Sequence, residues 1–347
     1  MEKQPFVYNK KKFSGQRKKR QRRRMVIRCT GVAVCAIGLV AAGWKFSGRL
    51  MELLPQQLPV QTVAATATPQ PTPTATPEPV PVVNLAPETI VSNYALLVDA
   101  ESGKVIWSKG NSTDKVWPAS ITKVLTALVA LEHISDLNQT FSMPLEIYQP
   151  LFDQNASMAG FWAGETPTMQ DLLYGTMLPS GADAATALAV ATAGDEQTFV
   201  QWMNDKAAQL GMSNSHFSNV WGIYQEDHYS TPEDLTRLMQ EALKNETLRT
   251  IMSTPSYTTA PLSAHAEGVT MEHSVLTKPE VAQMGEFVLE GGKTGFTDEA
   301  GLCLASFGKK YDREFILVTT GAMATLDNMQ PLHIQDAVTI YGAITMQ

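Results

Sequence analysis

Segments typical of β-strands lie at both ends of residues 89–347, and segments typical of α-helices lie between them. Strands are predicted at 94–100 and 105–107, and again at 273–276, 287–292, 301–306 and 315–320. Apolar residues with helical spacing predict helices at 120–131, 168–177, 182–193, 196–210, 232–243 and 333–346. This order predicts an α+β fold, an α/β sandwich in which the terminal segments share one sheet.

The amino-terminal region differs from the rest of the chain. Residues 1–24 hold eleven Lys or Arg and one acid, whereas the chain from residue 51 onward holds thirteen Lys or Arg against thirty-three Asp or Glu. An apolar run from Met25 to Trp44, interrupted only by Arg28, follows the basic residues. Such a run spans about 30 Å as a helix, the thickness of the bilayer core. We predict a cytoplasmic tail at 1–24, a transmembrane anchor at 25–44, and the remainder outside the cytoplasm.

Two alternatives for this terminus stay open. Ala41, Ala42 and Gly43 are small enough for a cleavage site, so the run could be a signal peptide that is removed. A basic tail can also bind nucleic acid, but the apolar run that follows it favours the membrane. We therefore predict membrane attachment and no nucleic-acid partner.

Residues 45–88 form a predicted linker that is rich in proline. Repeated proline removes backbone donors and favours the extended polyproline II conformation. A spacer of this kind could reach on the order of 100 Å, which would hold a domain at 89–347 away from the membrane. The prolines are residues 55, 59, 69, 71, 73, 77, 79, 81 and 87.

Cysteine and histidine usage in residues 89–347 argues against disulfides and metal sites. Cys303 is the only cysteine there, so no internal disulfide can form. It lies in an apolar strand-like run, which indicates a buried structural thiol and not a nucleophile. The six histidines lack metal-ligand spacing, so we predict neither a metal ion nor another cofactor.

A serine with a lysine three positions later opens the first predicted helix. Residues i and i+3 share a helix face, so the amine of Lys123 can reach the hydroxyl of Ser120. The amine can take the serine proton only if burial or a nearby cation lowers its pKa, and Lys293 could be that cation. The spacing alone is weak evidence, because Ser120 could simply cap the helix and the polar loop at 112–115 has the same pattern.

Two further motifs carry groups that a serine acyl-transfer site needs. Lys293, Thr294 and Gly295 follow two glycines at a predicted strand, where the lysine could bind a carboxylate and the glycines would let a ligand approach. Ser180 follows Pro179 at a predicted helix start, where it could relay a proton or only cap the helix. The first motif could equally be a glycine-rich turn, so neither motif is decisive alone.

In combination, these motifs resemble the serine D-alanyl-D-alanine carboxypeptidases, the low-molecular-weight penicillin-binding proteins. The resemblance covers roughly residues 90–345 and extends well beyond the motifs. It implies a β-lactamase/transpeptidase-like fold, in which an antiparallel sheet packs against a helical lobe. The matching stretches are WPASITKVLTAL at 117–128, DLLYGTMLPSGADAA at 171–185, NVWGI at 219–223, HYSTPEDL at 228–235 and GGKTGFTDEAGLCLA at 291–305.

The resemblance implies catalytic roles for three residues. Ser120 would be the acylated nucleophile, Lys123 its general base and Ser180 a proton relay to the scissile nitrogen. The reaction would release D-alanine from a peptidoglycan stem pentapeptide through an acyl-enzyme that water then cleaves. β-Lactam antibiotics would acylate Ser120 as slow substrates. The protein would be a bacterial membrane enzyme with its catalytic domain outside the cytoplasm.

The resemblance also implies the substrate-binding residues. Lys293 and Thr294, with Gly295 beside them, would hold the carboxylate of the terminal D-alanine. The backbone N–H groups of Ser120 and Phe296 would form the oxyanion hole. The expected partners are therefore the pentapeptide and β-lactams.

One position departs from the family pattern. The family's second motif is Ser-x-Asn, and here its third position is Ala182. A side-chain amide there would bond the substrate and orient the lysine base, so its loss costs about 1–3 kcal/mol, or about 5- to 150-fold in rate. The adjacent Asp183 points about 100° away on a helix. We expect reduced turnover with acylation retained.

Two other functions stay open at this point. A β-lactamase shares the nucleophile helix and the Lys-Thr-Gly, but it needs an added carboxylate, and no Glu-x-x-Leu-Asn string follows Ser180. A tethered wall-sensing or penicillin-sensing domain with a decayed site would account for Ala182. Covalent labelling by penicillin and release of D-alanine separate these functions.

Overall fold

A five-stranded antiparallel sheet lies at the centre of the fold. The computed structural model describes residues 79–323 and 330–347. The strands in this part of the chain are β1 Pro81–Val83, β2 Tyr94–Asp99, β3 Val105–Lys109, β4 Ser256–Thr258, β5 Thr270–Glu272, β6 Val288–Thr297, β7 Gly301–Lys310, β8 Arg313–Ala322 and β9 Ile344–Met346. The central sheet has the order β3-β2-β8-β7-β6, so strands from both ends of the domain are neighbours in it. The predicted α+β fold with an antiparallel sheet is confirmed.

A helical lobe fills the middle of the domain. Its helices, with the carboxyl-terminal one, are α1 Thr122–His133, α2 Tyr148–Asp153, α3 Met169–Met177, α4 Ala182–Ala193, α5 Glu196–Gln209, α6 Pro232–Ala242, α7 Glu246–Met252 and α8 Leu332–Gly342. Helix α1 is buried from Thr122 to Ala130 because α3, α4, α5 and α6 surround it. The predicted start of α6 is confirmed, since Thr231 caps it and Pro232 is its first residue.

The two faces of the sheet pack against different helices. In β2, Leu96 and Val98 face the helical lobe, whereas Leu97 between them faces α8 together with Ile334. Strand side chains alternate between faces, and both faces here are apolar and covered. The sheet therefore lies between the helical lobe and α8, and the Ala119–Ile121 turn before α1 packs against β6, the edge strand.

The structure corrects two predicted elements. Residues 273–276 are not a strand, because β5 ends at Glu272 and His273 accepts the backbone N–H of Val275 at 3.0 Å in a turn. The closing helix ends at Gly342, and Ile344–Met346 then pairs with Pro81–Val83. The end of the predicted linker at 45–88 thus contributes a strand to the domain.

The predicted tail at 1–24, the anchor at 25–44 and most of the linker lie outside the described residues. Within 79–323 and 330–347, no helix is both long and apolar enough to cross a membrane.

Candidate active site

Ser120 lies in a short 3-10 turn, Ala119–Ile121, that runs directly into α1. The N-cap position of α1 belongs to Ile121, so Ser120 does not cap the helix. Two glycines pack against this turn. A Cβ on Gly222 would lie 2.0 Å from the Ala119 carbonyl oxygen, and one on Gly295 would lie 3.0 Å from the Ser120 nitrogen. A side chain at Gly222 would clash with this backbone, and one at Gly295 would crowd it, so the two glycines let the 219–223 loop and β6 pack against the serine.

Lys123 points from α1 toward Ser120, as the i, i+3 spacing predicts. Its Nζ donates to Ser120 Oγ at 3.1 Å and to the Trp221 carbonyl at 2.7 Å. The side chain is 1% exposed, and burial holds the pKa of Lys123 well below its usual value. The positive charge of Lys293 lowers it further, while Asp183 opposes the shift. The environment therefore favours the neutral amine that a general base requires.

Lys293, Thr294 and Gly295 lie within β6 and not in an exposed turn. Lys293 is 0% exposed, and burial lowers its pKa to about 7. Its Nζ donates to the Thr294 carbonyl at 2.9 Å, and the Thr294 hydroxyl donates to Ser274 Oγ at 2.8 Å. Lys293 is thus a buried amine whose charge acts on Lys123, whereas Thr294 and Ser274 are only half-buried.

Ser180 is buried between α3 and α4, in the left-handed region with φ of 67°. The N-cap of α4 is Gly181, so the capping interpretation of Ser180 is wrong. Among the described residues, its hydroxyl has no hydrogen-bond partner. Ala119, next to Ser120, is also left-handed, with φ of 46°. Strained backbone of this kind concentrates at functional sites, and here it occurs at one predicted catalytic residue, Ser180, and directly before another, Ser120.

Ala182 and Asp183 hold the loop at 157–160, and position 182 itself carries no side-chain amide. The Ala182 N–H donates to the Ser157 carbonyl at 2.7 Å. The buried carboxylate of Asp183 accepts the N–H groups of Ala159 and Gly160 at 2.7 and 3.2 Å. Burial raises the pKa of Asp183, although these hydrogen bonds oppose the rise. Asp183 therefore anchors a loop and does not replace the missing asparagine.

A buried network behind Lys123 was missed by the sequence-based site prediction. His228 Nδ1 accepts the Ser218 N–H at 3.1 Å, so its Nε2–H donates to Thr122 Oγ1 at 2.8 Å. Asn219 Oδ1 accepts the Gly222 N–H at 2.7 Å. Together they fix the loop whose Trp221 carbonyl contacts Lys123. The sequence does point to this network, because the stretches at 219–223 and 228–235 both resemble the family. No catalytic role was assigned to either stretch.

A cleft of about 530 Å³ opens beside Ser120. Ser120, Lys123 and Phe296 line it, so these three predicted residues share one surface. Its other charged lining residues are Asp298 and Glu299. Gly295 is buried beneath the cleft against the Ser120 turn, and Lys293 is buried close enough to act on the pKa of Lys123.

Cys303 and possible groups of metal ligands are the other candidate reactive sites. Cys303 is fully buried in β7, and burial raises the pKa of its thiol to about 12. A thiol of this kind is not a nucleophile at neutral pH. In the described ranges, no three His, Cys, Asp or Glu side chains are grouped as metal ligands would be.

Comparison with known proteins relates this site to one family. A family model described as D-alanyl-D-alanine carboxypeptidase matches residues 81–324. The D-alanyl-D-alanine carboxypeptidase DacF of Bacillus subtilis is 31% identical over 229 residues, which are 66% of this chain and 57% of that protein. A D-alanyl-D-alanine carboxypeptidase of Streptomyces is 34% identical over 222 residues, 62% of this chain and 74% of that protein. The chain thus spans little more than half of the Bacillus relative.

Comparison with solved structures shows that the fold is also similar to that of a known protein. The crystal structure of a Streptomyces DD-transpeptidase superposes with a TM-score of 0.64 at 29% identity. The match covers 73% of this chain and 97% of that chain. The described domain therefore corresponds to nearly the whole of that protein.

Proposed function

The chain belongs to the D-alanyl-D-alanine carboxypeptidase family, and on this basis we propose that it is a serine DD-carboxypeptidase acting on peptidoglycan stem pentapeptides. The observation that carries the proposal is the 3.1 Å distance between Lys123 Nζ and Ser120 Oγ, in surroundings that lower the pKa of the lysine, so that the neutral amine can accept the serine proton. An activated serine is the first requirement of acyl transfer.

In the acylation step, Ser120 Oγ attacks the carbonyl carbon of the D-Ala–D-Ala bond. The hydroxyl proton passes to the neutral amine of Lys123 as the new C–O bond forms. The Trp221 carbonyl accepts another hydrogen of that amine at 2.7 Å, which directs its lone pair toward Ser120. The developing oxyanion is stabilised by the backbone N–H groups of Ser120 and Phe296.

The leaving group departs with a proton. The C–N bond breaks, and Ser180 passes the proton from Lys123 to the nitrogen of D-alanine. The lack of another partner for the Ser180 hydroxyl among the described residues supports this relay. The carboxylate of the departing D-alanine is held by the Thr294 hydroxyl and by the buried charge of Lys293.

Hydrolysis of the acyl-enzyme completes the cycle. A water molecule attacks the ester carbonyl, Lys123 accepts its proton, and the C–O bond to Ser120 breaks as the serine regains a proton. Ala182 offers no amide to orient the acyl group, which favours a second candidate function, a penicillin-binding protein with weak turnover. That protein would form the same acyl-enzyme but release it slowly.

We also propose that residues 25–44 anchor the protein in the cell membrane, with the domain outside the cytoplasm and residues 45–88 as a spacer. The basic tail and the apolar run support this proposal. Retention of the full-length mass in alkali-washed membranes is expected. A shorter, soluble form would instead indicate cleavage of a signal peptide.

The enzymatic proposal is tested with diacetyl-L-Lys-D-Ala-D-Ala and an assay for free D-alanine. Wild-type protein should release D-alanine, and S120A should not, while a peptide ending in L-Ala-L-Ala should stay intact. Since the Streptomyces neighbour is called a DD-transpeptidase, a parallel reaction with added glycine tests whether an amine replaces water as acceptor. Release by S120A at the wild-type rate would contradict the proposal. Rapid turnover of penicillin would indicate a β-lactamase instead.

A further inference from the structure

We propose that Ser274 is a second hydroxyl donor to the substrate carboxylate, acting beside Thr294. This inference rests on the proposed function, because the carboxylate in question belongs to the terminal D-alanine. Ser274 lies outside the three motifs, in the segment where the sequence predicts a strand and the structure has a turn.

The first support is the pair of hydroxyls itself. Thr294 Oγ1 donates to Ser274 Oγ at 2.8 Å, and both residues are half-buried at the surface of β6. Ser274 accepts in this hydrogen bond, so its own proton remains available to another acceptor. A carboxylate has two oxygens and only accepts hydrogen bonds. An incoming carboxylate can therefore accept the free proton of Ser274, and it accepts a second hydrogen bond when the Thr294 hydroxyl turns its proton from Ser274 Oγ to the other carboxylate oxygen.

The second support is the burial of the nearby cation. Lys293 is 0% exposed, and its Nζ donates to the Thr294 carbonyl at 2.9 Å. In this arrangement the buried ammonium attracts an anion electrostatically, but it does not reach the surface and cannot contact the anion directly. Direct hydrogen bonds must then come from groups nearer the surface, and Thr294 and Ser274 are such groups.

The third support is the turn that fixes Ser274. His273 is 1% exposed, and its Nδ1 accepts the N–H groups of Val275 and Leu276 at 3.0 and 3.3 Å. Its Nε2–H donates to the Met252 carbonyl at 2.9 Å. Burial lowers the pKa of His273 to about 4, so the ring keeps its acceptor at neutral pH.

The same turn joins the two halves of the site. The Ser274 N–H donates to the Leu178 carbonyl at 3.2 Å, two residues before Ser180. The Ser274 hydroxyl is bonded to Thr294 in β6. Ser274 is thus placed between the segment of the proton relay and the strand that binds the carboxylate, where the leaving D-alanine has to lie.

Two ester substrates that differ only in the carboxylate test the inference. Diacetyl-L-Lys-D-Ala-D-lactate carries the carboxylate, and the isopropyl ester of diacetyl-L-Lys-D-Ala has a methyl group in its place. For S274A, kcat/KM for the D-lactate ester should fall by about 10-fold or more, because a hydrogen bond to a charged group is lost. The rate with the isopropyl ester should not change. S274T keeps a hydroxyl and should restore the preference for the carboxylate.

The control variant is S256A, since Ser256 is an exposed serine in β4. It should cleave both esters at the wild-type rates. Equal losses on both esters in S274A, or no loss on either, would overturn the role of Ser274 and leave the proposed function intact. A wild-type protein that cleaves neither ester would overturn the proposed function together with this inference.

Discussion

The amine of Lys123 lies 3.1 Å from the hydroxyl of Ser120 and donates a hydrogen bond to the Trp221 carbonyl at 2.7 Å. The 3-10 turn Ala119–Ile121 runs into α1 and brings the Ser120 side chain beside that of Lys123 in the first turn of the helix. Burial and Lys293 then favour the uncharged amine. Position and protonation state together support the proposal that this lysine is the base, and each part can be tested separately.

Replacement of Lys123 by methionine removes the base and keeps the apolar stem. We expect the rate of acylation by benzylpenicillin to fall by about 10²- to 10⁴-fold, the usual contribution of a general base. Because the substitution also replaces a buried polar amine by an apolar group of similar length, K123M should unfold at the same or a higher temperature. The exposed Lys104 provides the control K104M, which should acylate normally. Wild-type acylation by K123M would show that another group is the base.

Loss of Lys293 should shift the pH dependence of acylation. Its charge is one cause of the low pKa of Lys123, so K293M should raise that pKa and move the acidic limb of kcat/KM to higher pH. In the wild-type protein, burial lowers the pKa of Lys293 to about 7, so its cation is lost as pH rises through that value. Binding of carboxylate substrates should therefore weaken above about pH 7. K278M, at an exposed lysine, serves as control, and an acidic limb that stays in place in K293M would contradict the coupling.

Restoring asparagine at position 182 should increase hydrolysis. An amide there adds one hydrogen bond to the acyl group, which is worth about 5- to 150-fold in rate. The comparison variant is A182L, which has a similar size but no amide, because Ala182 is buried and either side chain displaces neighbours. Release of D-alanine measures the effect. Equal rates in A182N and the wild type would mean that Ala182 does not limit turnover.

His228 should affect the chemistry through the Trp221 loop and not through its own titration. Burial lowers its pKa to about 3, so it is neutral across the working range. H228F loses the hydrogen bonds to Ser218 and Thr122, and we expect acylation to slow by about 10-fold as the loop no longer fixes Lys123. The acidic limb of kcat/KM should shift as well. The exposed His133 gives the control H133F. If the melting temperature falls while the acylation rate and the pH profile stay unchanged, His228 has only a structural role.

Local sequence patterns predict where the strands and helices of this fold lie better than they predict which distant residues contact each other. The strands and helices are visible because apolar spacing reflects burial within one segment. The prediction at 273–276 is wrong because Val275 and Leu276 look like a strand, while the buried ring of His273 holds a turn. The proposed roles of Ser274 and His228 depend on partners 20 and 106 residues away in the chain, which no local pattern specifies.

The most direct test of the central claim, that Ser120 is an activated nucleophile, is the mass of the protein after incubation with benzylpenicillin, followed by peptide mapping. We predict a mass increase of one penicillin molecule, located on the peptide that contains Ser120 and absent from S120A. A protein that stays unmodified, or that carries the adduct on another residue, would contradict the assignment of Ser120 and Lys123 as the reacting pair.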